Sequence, residues 1–203
     1  MGKKQLAHEY FQAPPYDVLL DPRRFAERWE RTFGRVAPLH VEIGMGLGHH
    51  LLAFAAANPE MNHLGLEIKM HRIYSARQAS LRAGITNLRF IPGDARRTLE
   101  ALAPRSVSRL TLLFPDPWPR HPDRRLTSPD YLALYADVLA PQGVMHFRTD
   151  DPALFEYSLA QFRSARFLLT VAVPRERVLT AFERRWLGEG KAIFGVDARL
   201  PSI

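Results

Sequence analysis

Cysteine is absent from the 203 residues, which excludes disulfides and thiolate metal sites and leaves a reducing compartment open to the chain. No run of 18 apolar residues and no signal peptide appears, and Leu6 stands where a myristoylation signal after Met1-Gly2 carries Ser or Thr. The expectation is a soluble, cytoplasmic protein without a membrane role. Lysine is nearly absent as well: Lys3, Lys4, Lys69 and Lys191 are the only four, so almost all of the 28 basic residues are Arg. The net charge of +7 and pI near 10.1 therefore come from guanidinium groups, which pair bidentately with phosphate and stack on bases. That points to polyanions, nucleic acid ahead of an anionic membrane. The eight histidines show no ligand-like spacing, so no metal is expected; His49-His50, at a helix start, read as facing solvent or the adjoining turn.

With 46% hydrophobic residues the chain can bury a substantial core, and its length favours one domain. Residues 1–20 carry Pro14-Pro15 and little periodicity, and read as an arm laid over the body or left mobile. A single domain then spans 21–203. Asp21 and Pro22 suit a helix start, and Phe25, Trp29 and Phe33 fall four apart on one face before Gly34. From Leu39 strands and helices alternate: strand 39–43, helix 49–57, strand 63–68, helix 70–83, strand 88–91, helix 95–102, strand 107–114, helix 128–139, strand 143–149, helix 152–164. Closing strands are expected at 167–173 and 192–196. This is βαβ grammar, so the expected fold is a doubly wound α/β sheet, mostly parallel, seven-stranded, with helices on both faces.

The first strand runs into Glu42-Ile43-Gly44-Met45-Gly46-Leu47-Gly48, a glycine turn that opens a helix. A dinucleotide fingerprint wants a third glycine where His49 stands and no carboxylate beside its pyrophosphate. S-adenosylmethionine has no phosphate and carries an ammonium group, so Glu42 suits that ligand and repels the other. Glu67 ends the second strand, 23 residues after Gly44, where Rossmann-like folds place an acid on ribose hydroxyls. Asp94 follows the third strand, either as an acceptor for an adenine amino group or as a helix cap. Acids at three successive strand ends favour adenosylmethionine over coincidence.

The fourth strand leads into Phe114-Pro115-Asp116-Pro117-Trp118-Pro119-Arg120, where three prolines forbid helix and ladder alike. On its own this is either a rigid turn or a site at a strand's carboxyl end. Trp118 either stacks on a base or packs under the loop. Together with E-x-G-x-G-x-G from Glu42, Gly93-Asp94-Ala95, Arg124-Arg125-Leu126, Thr149-Asp150 and Thr180-Ala181-Phe182-Glu183, the loop makes residues 37–196 resemble the bacterial tRNA (guanine-N7-)-methyltransferases. The resemblance implies a Class I methyltransferase fold and methylation of guanine N7 in the tRNA variable loop, at position 46. It implies adenosylmethionine contacts from Glu42, Gly44, Gly46, Glu67, Asp94 and Asp116, with Asp116 also catalytic. Arg120, Asp150, Thr180, Phe182 and Glu183 would hold the tRNA. Arg124 and Arg125 are candidate phosphate contacts. The chain departs from the family pattern at Arg120, usually Lys, and at Trp186, where Gly is customary.

Two other readings keep part of this pattern: a Class I methyltransferase acting on another nucleic acid or a small amine, and a non-catalytic RNA-binding module. Whether the chain acts as a monomer or a homodimer is left open by the sequence.

Overall fold

A computed structural model describes residues 18, 19, 21, 29–171 and 181–201, which belong to two units, Met1–Ala103 and Pro104–Ile203. In the first, a short helix α1 (Trp29–Phe33) precedes strand β1 (Leu39–Ile43), helix α2 (His49–Ala57), strand β2 (Asn62–Glu67), helix α3 (Met70–Arg82), strand β3 (Leu88–Pro92) and helix α4 (Ala95–Leu99). The Pro22–Arg28 part of the helix expected from Asp21 lies outside the described residues, as does most of the expected arm.

The three strands run parallel in the order β3-β2-β1, Leu39 pairing with Asn62 and His63 with Leu88. Every residue of β1 and β2 is buried, as a parallel sheet covered on both faces requires. Met45, Leu51, Leu52, Ile73, Ala76, Leu88 and Phe90 form one apolar cluster under α2 and α3, and Val18 joins it. Burial of a side chain such as Phe90 contributes about 1.5–3 kcal/mol. Val18 bridges Phe90 and the Leu19 amide donates to the Phe90 carbonyl at 2.8 Å. These two residues of the expected arm are therefore docked on β3.

The same sheet buries two imidazoles. His40 and His63 are register partners whose Nδ1 atoms lie 2.9 Å apart, and Phe54 packs against both rings at 4.8 and 5.8 Å. Burial lowers the His63 pKa, outweighing the Asn58 carbonyl, which accepts from Nε2 and favours the charged ring; Arg35 lowers it further and Glu60 opposes.

The second unit contains β4 (Val107–Leu113), a 3₁₀ turn (Pro122–Arg124), α5 (Pro129–Val138), β5 (Leu139–Thr149), α6 (Pro152–Ser164), β6 (Leu168–Val171), α7 (Ala181–Gly188) and β7 (Phe194–Arg199). Its strands lie in the order β4-β5-β7-β6; β4 and β5 are parallel, and β7 is antiparallel to both neighbours. Seven strands, mostly parallel, with interleaved helices thus make the expected α/β architecture. Phe147, Phe155 and Phe194 stack in sequence, and Phe162 and Phe167 extend the aromatic core beneath α6.

Two differences from the sequence reading have physical causes. β5 starts at Leu139 rather than Gly143, because Pro141-Gln142-Gly143, which reads as a turn, is absorbed as a register shift opposite Val107. A Cβ at Gly143 would sit 2.8 Å from the Ala140 carbonyl oxygen and 3.0 Å from that of Val107, so only glycine fits there. The second difference is α7, a helix that the expected element order does not include. Its buried face carries an acid, Glu183, that hydropathy counts as polar; Glu183 is fully buried because it pairs with Arg148 of β5.

Gly48 has φ +75° and its Cβ position lies 2.9 Å from the Ala76 Cβ, whereas Gly84, at φ +65°, faces open space. Gly48→Ala should lower the unfolding free energy in urea by about 1–3 kcal/mol more than Gly84→Ala does, since only the first adds overpacking to left-handed strain. Acidification tests the buried imidazole. The unfolded chain protonates His63 at its ordinary value and the folded chain resists, so stability is complete above about pH 6.5 and declines as pH falls below it. That decline, followed by urea unfolding, should be shallower in His63→Gln.

Candidate active site

At the end of β1 the chain alternates glycine with larger residues because alternate positions need left-handed backbone: Gly44, Gly46 and Gly48 have φ +70°, +59° and +75°. A Cβ at Gly44, Gly46 or Gly93 would meet nothing within 4 Å, so the space before the turn and beside the end of β3 is open. Glu42 precedes the turn and is buried; its Oε2 lies 2.7 Å from His50 Nδ1. His50 is therefore not at the solvent. The sequence reading did not foresee this partner, although an imidazole two residues into the helix after the turn sits where it can reach back to the strand.

Glu67, at the end of β2, is buried and held by the chain itself. Oε2 accepts the Gly46 amide at 3.0 Å and Oε1 the Lys69 amide at 2.9 Å, while Arg72 Nη1 stands 3.4 Å from Oε2. This carboxylate thus folds the glycine turn, and Oε1 keeps an acceptor position for a hydroxyl. Asp94 is exposed after β3 and caps α4 through Oδ1, which accepts the Arg96 and Arg97 amides at 2.9 and 3.4 Å. Capping uses one oxygen and leaves Oδ2, so the two roles weighed for Asp94 are compatible. An open cradle with three acids at successive strand ends fits adenosylmethionine's ammonium, ribose and adenine donors.

In the second unit, Phe114 and Trp118 bracket Asp116 with φ +50° and +40°, conformations that cost a non-glycine residue about 1–3 kcal/mol and gather at functional sites. The surroundings hold them there. The Phe114 amide donates to the Arg148 carbonyl at 2.9 Å. Arg125 Nε donates to the Pro117 carbonyl at 2.8 Å, and its guanidinium lies 4.2 Å from the Tyr157 ring centre. Arg125 is thus largely occupied in tying the loop to α6. Arg124 lies over the Trp118 ring at 5.3 Å, and Asp116, Trp118, Arg120 and Arg124 are all exposed.

Asp150 is half-buried just past β5, and its Oδ2 accepts the indole N–H of Trp186 at 2.8 Å. Glu183 does not reach the surface: it meets Arg148, with both side chains fully buried. Thr180 lies outside the described residues, as does the side chain of Phe182. Among the described residues no group of three or more acids or histidines is placed to hold a metal, and no helix is long and apolar enough to cross a membrane.

Residues 36–196 match the family described as "Putative methyltransferase". The tRNA (guanine-N(7)-)-methyltransferase of Listeria welshimeri is 34% identical over 205 residues, covering 97% of this chain and 96% of the relative. That of Streptococcus suis is 33% identical over 202 residues, covering 95% of each. Among solved structures, the 16S rRNA methyltransferase KamB superposes with a TM-score of 0.63 at 21% identity, over 86% of this chain and 94% of that one. A SAM-dependent methyltransferase from Aquifex aeolicus does so with 0.56 at 13%, over 98% of both. The structural likeness shows the Rossmann-like methyltransferase fold, and identity sustained over almost the whole length goes further: the chain belongs to the bacterial tRNA (guanine-N7-)-methyltransferase family.

Proposed function

We propose that this protein methylates N7 of the guanine at position 46 in the tRNA variable loop, in the cytoplasm, with adenosylmethionine as donor. The observation that carries the reading is Asp116, exposed on a strained and anchored loop just past β4, in a chain whose strands β1 to β3 each have an acid within two residues of their carboxyl ends. Adenosylmethionine, when bound, would supply an electrophilic sulfonium methyl for the N7 lone pair, the carbon–sulfur electron pair staying with sulfur. No proton moves in that exchange, so the chain needs no general base.

What its residues supply is placement and charge. Glu42 and the turn at Gly44 and Gly46 would hold the methionine end, Glu67 a ribose hydroxyl and Asp94 the adenine amino group. Asp116 lies at the reacting centre and Asp150 accepts guanine N–H groups. Both carboxylates oppose the positive charge that the purine acquires, a stabilisation that grows toward the product. Orientation of this kind is worth about 7–11 kcal/mol in well-aligned systems. Arg120 and Arg124 meet phosphates, Arg125 fixes the loop, Thr180 and Phe182 contact the RNA, and Glu183 serves by seating α7.

The decisive assay incubates the protein with labelled adenosylmethionine and unmodified tRNA and maps the product. Label at N7 of a variable-loop guanine is expected; label elsewhere in the tRNA, or none from folded protein, overturns the reading. Asp116→Ala should cut turnover by about 100-fold or more with an unchanged far-UV spectrum, since the side chain is exposed. The salt dependence of tRNA binding separates the arginines: Arg124→Ala should reduce the log–log slope by about 1. Arg125→Ala should change it less, because its Nε is spent on Pro117.

A further inference from the structure

We infer that Trp186 is a positioning residue for the methyl-accepting base: it fixes the orientation of the Asp150 carboxylate. This rests on the proposed role of Asp150 in receiving the guanine.

The backbone around Asp150 is tied on its far side. The Asp151 amide donates to Thr149 Oγ1 at 3.1 Å, and Asp151 Oδ1 caps α6 by accepting the Leu154 amide at 2.8 Å. What remains free in Asp150 is its side-chain rotation, and the Trp186 indole N–H, 2.8 Å from Oδ2, removes it.

Trp186 is itself held in place. It lies three residues after Glu183 on α7, so the two share a helix face. Their partners, Arg148 and Asp150, lie two residues apart along the chain at the end of β5. One helix face thus meets one strand end at two points, a buried ion pair and an indole hydrogen bond. Over its ring the indole carries Lys191 Nζ at 3.6 Å and the Arg185 guanidinium at 5.3 Å from the ring centre. Both cations are bound to Glu189, at 2.9 and 2.8 Å, and the Lys191 amide donates to the Trp186 carbonyl at 3.0 Å.

The donor's chemistry also matters. An indole N–H donates one hydrogen bond and accepts none. It orients the carboxylate without cancelling its charge, as an arginine or lysine in that position would. Asp150 keeps its negative charge for a base that becomes cationic, and Oδ1 is left for a guanine N–H.

Trp186→Phe removes the N–H and keeps a ring beneath Lys191. Its kcat/KM for tRNA should fall by about tenfold, the value of one hydrogen bond to a charged group. The KM for adenosylmethionine should stay unchanged. Asp150→Asn should also impair tRNA methylation, and adding Trp186→Phe to it should cost nothing further, whereas a merely structural tryptophan would give additive losses. A second measurement leaves Trp186 in place: its indole N–H, assigned by nuclear magnetic resonance, should exchange slowly with solvent in the wild type and faster in Asp150→Ala, which has no acceptor. Unchanged tRNA kcat/KM in Trp186→Phe, additive losses or unchanged exchange overturns the inference and leaves the methylation reading standing. Full activity in Asp150→Asn removes Asp150 from the site and the inference with it. A wild-type chain that labels no tRNA overturns the reading beneath both.

Discussion

A carboxylate taken out of water must be met by donors or it costs several kcal/mol, and this constraint shapes both units. Among the described residues three glutamates are buried, and each is answered differently. Glu42 has an imidazole, Glu67 two backbone amides with a guanidinium nearby, and Glu183 a guanidinium as buried as itself. Each answer fixes something else. The Gly46 amide can reach Glu67 only if the glycine turn folds toward β2, so the acid sets the shape of the loop. Arg148 can reach Glu183 only if α7 lies against β5, which brings Trp186 to Asp150.

The acids left exposed behave differently. Asp94 and Asp116 are open to solvent, and their positions come from backbone restraint: a capping bond in one case, prolines and two left-handed residues in the other. Buried acids build the frame, while exposed ones on stiff backbone are free to meet a ligand. Strain at Phe114 and Trp118 is sustained because the Arg148 carbonyl and Arg125 grip the loop at its two ends.

Much of this was legible in the sequence. The βαβ elements from Leu39 to Ser164 follow from apolar runs punctuated by glycine, proline and capping residues, and their bounds agree to within a few residues. The acids at strand ends were readable because βαβ topology places those ends together. What stayed hidden depends on contacts distant in sequence. α7 escaped because its buried face is charged, and pairing with Arg148, 35 residues earlier, leaves no local trace. His50 escaped because its partner lies on the preceding strand. Arg125 resembled its neighbour Arg124, and only the fold assigns one to the loop and the other to the surface.

The contact of Val18 and Leu19 with Phe90 bears on how the molecule keeps company with itself. β3 is the outer strand of its unit, and an outer strand offers unpaired amides and carbonyls to any extended chain that passes. Here Leu19 has already taken the Phe90 carbonyl and Val18 the place beside it. At Phe90, in the middle of β3, the chain thus covers with its own residues a point at which another extended chain could pair.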